Sequence, residues 1–243
     1  MRMVMRRAAM VVMLGAIGCG GDRSSSRDSA GRDSVTGQRG ADPVATRDSI
    51  RATSGSSSPW QIDPSGRTGP ITRQTSEAEL TVAYGADAVR AIDVQIGEGD
   101  TAPGTVLFPE DSARRLEIIW GDAVQRRHPA RIILRGERSR WTLPRGVTLG
   151  TALRDIERLN AAPFQLAGFS GDYGGVVIDW GTGALRPALE GATVYFNPER
   201  SQEELAAYAE VVGDRELSSS HPAMQTLNPR VVQIFIDFTP PAG

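Results

Sequence analysis

The chain contains one cysteine in 243 residues, at position 19, and this constrains its fold more than any other feature. Cys19 closes an N-terminal pattern. Arg2, Arg6 and Arg7 make a basic start, residues 8–17 are apolar, and Ala16, Ile17 and Gly18 lead into the cysteine. A basic region, a short apolar core and small residues at its end form a secretory signal. The apolar run is about half of the ~20 residues needed to cross a bilayer, so residues 1–18 are expected to be a removed signal peptide and not a retained span. Beyond position 19 there is no thiol left. Disulfides, cysteine-ligated zinc, iron–sulfur clusters and thiol nucleophiles are all excluded, and the folded part must be held by an apolar core.

The segment Ala16-Ile17-Gly18-Cys19 resembles the bacterial lipobox, in which small residues precede a lipid-modified cysteine. Ala16 departs from the Leu usual there, and Gly20, not Asp, follows the cysteine. The resemblance implies lipid on Cys19 and attachment to a membrane on the extracytoplasmic side of the cell envelope. In a Gram-negative cell the outer membrane is favoured. Several acyl chains, at ~0.8 kcal/mol per buried CH₂, anchor a protein without a spanning helix.

Composition removes whole classes of activity. Lysine is absent, and all 27 basic residues are arginine. A Walker A loop, a protein kinase, a Ser-x-x-Lys acyl transferase and a pyridoxal phosphate enzyme each need a lysine. The two histidines, His128 and His221, cannot build a His-rich metal centre, and a Ser-His-Asp triad would have to use one of them. Residues 76–243 carry 16 Arg against 23 Asp and Glu, a net of −7. Nucleic acid is therefore not an expected partner, since phosphates call for a basic surface. No cofactor is expected.

Residues 19–68 are rich in Ser, Gly, Arg and Asp, with sparse apolar residues and no period. Such a segment buries too little apolar surface to offset its ordering entropy, and it reads as a disordered tether. A flexible chain of this length reaches roughly 40 Å. Trp60 stands in it as an incidental or loosely packed aromatic. Residues 69–243 are expected to form a single α+β domain, an antiparallel sheet with two or three helices on one face. Helices are read at 75–84, at 151–160 with Leu153, Ile156 and Leu159 at helical spacing, and at 202–211. Thr75 is read as the first N-cap. Strands are read at 89–96, 104–108, 115–120, 130–135, 164–169, 176–180, 192–196 and 231–238.

Ile71-Thr72…Thr75…Leu80…Tyr84-Gly85 parallels Val147-Thr148…Thr151…Ile156…Asn160-Ala161, which suggests a duplicated helix-then-sheet unit. On these positions the domain resembles the small outer-membrane lipoproteins of the SmpA type and the beta-lactamase-inhibitor-like fold. In both, a Thr-led helix packs on an antiparallel sheet. Residues 103–109 and 115–120 also resemble stretches of bacterial lipoproteins to which no activity attaches.

The most site-like segment is 213–229, which lacks a period and holds two prolines. Asp214, Arg215, Glu216, Ser220 and His221 are its candidate binding residues. A hydrolytic reading would use His221 as base with Ser220 or Ser218 as nucleophile, although adjacent residues in an extended chain point apart. A loop capping the last strand, with Ser and Asp satisfying backbone groups, competes with it. Tyr173, in the Gly-rich turn 168–175, is a candidate contact residue. That turn matches neither the Gly-x-Ser-x-Gly elbow nor a dinucleotide fingerprint. Asp93, Glu98, Asp100, Glu110 and Asp111 lack calcium-loop spacing and read as a solvated acidic face, so no metal site is assigned. Nine arginines between 114 and 145 either meet an anionic partner or pair with the surplus carboxylates. The expected function is that of a lipid-anchored envelope protein, a non-catalytic module binding a protein or polymer. An envelope hydrolase using His221 is the alternative.

Overall fold

The computed structural model describes residues 58–97, 99–136, 138–170, 173–199 and 205–238. Cys19, the signal segment, residues 19–57 of the expected tether, Glu98, and residues 202–204 of the third expected helix lie outside them.

The folded body begins earlier than composition suggests. Strands β1 (Ile62–Asp63), β2 (Arg67–Thr68) and β3 (Ile71–Thr72) form a small antiparallel sheet. Ile62 and Thr68 are buried. Trp60 meets Trp141 edge to face at 5.2 Å, and the Arg140 guanidinium lies over the Trp60 ring. The Ile62 N–H donates to Thr142 O, and the Thr142 N–H to Trp60 O, both at 2.9 Å. Residues 58–68 thus belong to the domain and not to the tether. A local window shows too few apolar residues to order itself, but its partners come from the remote segment 140–142.

Helix α1 (Glu77–Tyr84) is capped by Ser76, one residue later than expected. The Ser76 side chain accepts from the Glu79 N–H and the Glu79 carboxylate accepts from the Ser76 N–H, a capping box. A meander follows: β4 (Val89–Gly97), β5 (Asp100–Leu107), β6 (Leu116–Asp122) and β7 (Arg127–Arg135). Then come α2 (Leu153–Asn160), β8 (Gln165–Ala167), β9 (Val177–Asp179), α3 (Leu185–Ala188) and β10 (Ala192–Asn197). Helix α4 (Leu205–Val211), β11 (Glu216–Ser218), α5 (Pro222–Leu227) and β12 (Arg230–Asp237) complete the described chain. The main sheet runs β10-β12-β7-β6-β5-β4, and β11-β8-β9 form a smaller one, every pair antiparallel. Gly175 and Val176 join the two, pairing with Phe196 and Tyr195. Gly175 has φ +76, and a Cβ there would strike the Phe196 carbonyl oxygen.

The helices lie on one face of the main sheet. Leu80, Leu153, Ile156, Leu185, Val211, Met224 and Leu227 share a core with the inward residues Leu107, Leu116, Ile118, Ile132, Leu134, Ile234 and Ile236. This is the expected α+β arrangement, with α3 and α5 added in segments too short to show a helical period.

Two halves repeat one hydrogen-bond pattern. The Thr72 N–H donates to Thr75 Oγ1 at 3.0 Å, and the Thr148 N–H to Thr151 Oγ1 at 3.1 Å. The Glu77 N–H donates to Arg126 O, and the Leu153 N–H to Pro229 O. The His128 N–H donates to Thr75 O, and the Val231 N–H to Thr151 O. Each helix start is therefore tied to the start of the last strand of its own half, β7 or β12. Those two strands pair at the centre of the sheet. The tie is present twice, although the second half carries α3, α4 and α5 between its strands and shares those strands between two sheets.

The uncovered face is not flat. Strands β5 and β6 separate β4 from β7, yet the Arg135 guanidinium on β7 donates to the Gln95 carbonyl on β4. Val94, Ile133 and Phe235 form a second, smaller buried cluster there. The β4–β5 hairpin therefore curls over the face that the helices leave open. Gly104 permits the curl. A Cβ at that position would strike the Ile118 carbonyl oxygen and come within 2.6 Å of the Val94 methyl.

Candidate functional site

The segment 213–229 is not an irregular loop, as its sequence suggested. It holds β11 and α5, and the Ser219, His221 and Gln225 side chains bond backbone groups. His221 is the N-cap of α5, its Nδ1 accepting from the Ala223 N–H at 3.2 Å. For Nδ1 to accept, the ring proton must sit on Nε2. Ser218 and Ser220 share a hydrogen bond of 2.8 Å with each other. The buried Ser219 accepts from the Phe164 N–H and donates to Glu157. Gln225 donates to Ser219 O. Period failed as a guide here because a three-residue strand and a six-residue helix each span fewer than two repeats of their pattern.

Asp214, Arg215 and Glu216 are exposed, and Arg215 donates to Glu210 O at 3.2 Å. The acidic group is dispersed. Glu110 pairs with Arg90, and Asp111 with Arg114 at 2.6 Å. The Arg114 hydrogen bond holds the Asp111 carboxyl below its usual range. Asp93 is exposed, and Asp100 opens β5. Among the described residues no group of three or more His, Cys, Asp or Glu is placed to hold a metal. Among the described residues, Arg114, Arg115, Arg126, Arg127, Arg131 and Arg135 meet carboxylates.

The structure places one candidate, Tyr173, apart from the 214–221 group. Its 67 % exposed ring lines a trough of about 550 Å³ on the open face. Arg135 on β7, Gln233 and Phe235 on β12, and Tyr195 on the edge strand β10 make its floor. Gln95, Ile96, Gly97, Gly99 and Asp100 bring the curled hairpin in as one wall. None of residues 214–221 lines it.

The floor is pre-organised. The Arg135 guanidinium donates to Gln95 O, lies 3.6 Å from the buried Glu117 carboxylate, and faces the Gln233 amide oxygen at 3.0 Å once that amide is turned to accept. Glu117 is itself held by Arg115 at 2.9 Å. The Tyr195 and Phe235 rings meet at 5.1 Å, and Arg131, bonded to Asp237, lies over Phe235 at 4.8 Å. The side chains of the floor are thus fixed by neighbours before any ligand arrives.

Burial pushes the Tyr195 phenol above the usual tyrosine value, offset in part by Arg131. The neutral phenol is the form the fold favours. Its contribution is complete below the unfolded tyrosine pKa and is lost as pH rises through the folded one. In an alkaline titration followed by phenolate absorbance, one tyrosine is expected to ionise later than in the unfolded chain, and Tyr195→Phe should remove that step. A native titration with no late step in the parent would contradict this burial.

The sequence reading missed Gln233, Tyr195 and Phe235 and held Arg135 only as one of nine arginines between 114 and 145. One signal was available. Phe235 is out of phase with Ile234 and Ile236, so an aromatic ring stands on the side of β12 away from the core. Comparison with protein-family models, with curated proteins and with solved structures finds no match to this chain.

Proposed function

We propose that this chain is a lipid-anchored, non-catalytic binding module of the bacterial cell envelope, and that the trough on the open sheet face is its binding surface. The supporting observation is the contrast between two regions. The Ser and His side chains of 218–221 are engaged in capping and internal bonds. The open face instead presents an exposed tyrosine beside arginine and aromatic side chains already locked in place. Tyrosine and arginine are the residues most enriched where binding energy concentrates. Attachment follows from Cys19 and the signal before it, and among the described residues no helix is long and apolar enough to cross a membrane. The partner is a protein or a polymer of the envelope.

Cys19→Ser separates the two parts of this reading. The variant should lose lipid labelling and leave the detergent phase, yet still sediment saturably with isolated envelope fragments. Tyr173→Ala in the same background should lower that sedimentation about tenfold, the size of effect a single aromatic anchor carries. Unchanged membrane partition of Cys19→Ser would sink the anchoring, and absence of saturable sedimentation would sink the binding role.

A further inference from the structure

We infer that the trough takes a neutral glycan segment. This deepens the binding-module reading and rests on it. Three observations carry the assignment. First, the charged groups among the described lining residues are Arg135 and Asp100, one of each sign. The Arg135 guanidinium already has the Gln95 carbonyl, the Gln233 amide oxygen and the Glu117 carboxylate around it. Acceptors thus already face the Arg135 guanidinium nitrogens, and the formal charges of the described lining residues cancel, so an anionic ligand meets no net positive lining.

Second, the remaining lining suits a polyhydroxylated ligand. Gln95 carries a side-chain amide able to donate and accept, Gln233 keeps its amide N–H groups to donate while its oxygen accepts from Arg135, and Asp100 accepts. Tyr173 and Tyr195 add rings with a polar tip. A sugar ring has hydroxyls round its edge and C–H groups on its faces, which matches amides and carboxylate for the edge and a tyrosine ring for the face. Third, the shape is wrong for a protein side-chain anchor. Such an anchor fills a closed, desolvated apolar pocket, whereas this trough is open and its apolar floor residue, Phe235, is already covered by Arg131 and Tyr195. Its volume of about 550 Å³ is that of a small-ligand cleft and has room for a few sugar units.

The test uses the intact Cys19→Ser chain, with chitohexaose, maltohexaose and cellohexaose as neutral probes and a heparin hexasaccharide as the anionic one. Saturation-transfer NMR reads which ligand protons meet the protein, and calorimetry reads affinity. At least one neutral oligomer should bind saturably, with its C–H protons saturated most strongly. Tyr173→Ala and Gln233→Ala should each weaken it about tenfold. Val82→Ser, at an exposed position of α1 outside the trough, should leave binding unchanged. The assignment is overturned if no neutral oligomer binds, if heparin binds as tightly, or if Tyr173→Ala binds like the parent. Where no oligomer binds but the Tyr173-dependent sedimentation with envelope fragments persists, the glycan assignment fails and the binding-module reading stands, with a peptide as the ligand. Where that sedimentation is also absent, both fail.

Discussion

Asn160→Ala is expected to lower the unfolding free energy by about 4 kcal/mol, because it strands several buried polar groups at once. The Asn160 side chain is fully buried at the end of α2. Its Oδ1 accepts from the Leu185 N–H at 3.0 Å, and its Nδ2 donates to Ala162 O at 2.8 Å and Trp180 O at 3.1 Å. One amide thus ties α2 to the start of α3 and to the turn after β9. Gly183 packs directly against it, and a Cβ there would overlap the amide. Asn160→Asp keeps the acceptor but sets a carboxylate against two carbonyl oxygens, so it should destabilise at least as much as alanine. Thermal unfolding should show a midpoint about 10 °C lower for Asn160→Ala. A loss under about 1 kcal/mol would mean that water replaces the amide at little cost.

Gly104→Ala is expected to cost about 3 kcal/mol, at the upper end for one added methyl. The new Cβ would meet the Ile118 carbonyl oxygen, which belongs to the β5–β6 ladder and cannot rotate away, and the Val94 methyl. The hairpin must uncurl to relieve this. The substitution should therefore loosen the Val94–Ile133–Phe235 cluster and move the hairpin wall of the trough. Two readouts should change together: the midpoint of unfolding and the late ionisation of Tyr195, which depends on burial by this face. If stability falls while the Tyr195 titration is untouched, the curl is not what Gly104 protects.

The two substitutions also mark what the sequence could reveal. The long strands and the 151–160 helix rest on period, which survives in isolation because a core face repeats every second residue in a strand and every third or fourth in a helix, whereas the 75–84 helix was legible from its capping residues and terminal Gly85. The Thr72–Thr75 and Thr148–Thr151 pair was visible as a repeated spacing, and the structure turns it into one hydrogen bond made twice. Trp60 and Ile62 were not placed, because their partners Trp141 and Thr142 are remote in sequence. The 213–229 segment was read as a site because its polar residues lack period, whereas those residues cap and stitch short elements.

From the sequence alone came the single cysteine, the absence of lysine, the α+β class and the repeated Thr spacing, all of which depend on residue type and local spacing. Only the tertiary structure decided that the domain starts by residue 58, that His221 caps a helix, and that the open sheet face carries the trough. The physical reason is distance along the chain. The trough joins residues 95–97, 99, 100, 135, 173, 195, 233 and 235, which become neighbours when β7 pairs with β12 and the β4–β5 hairpin curls over them. No local pattern encodes that meeting. It is set by strand order and by the missing side chain at Gly104.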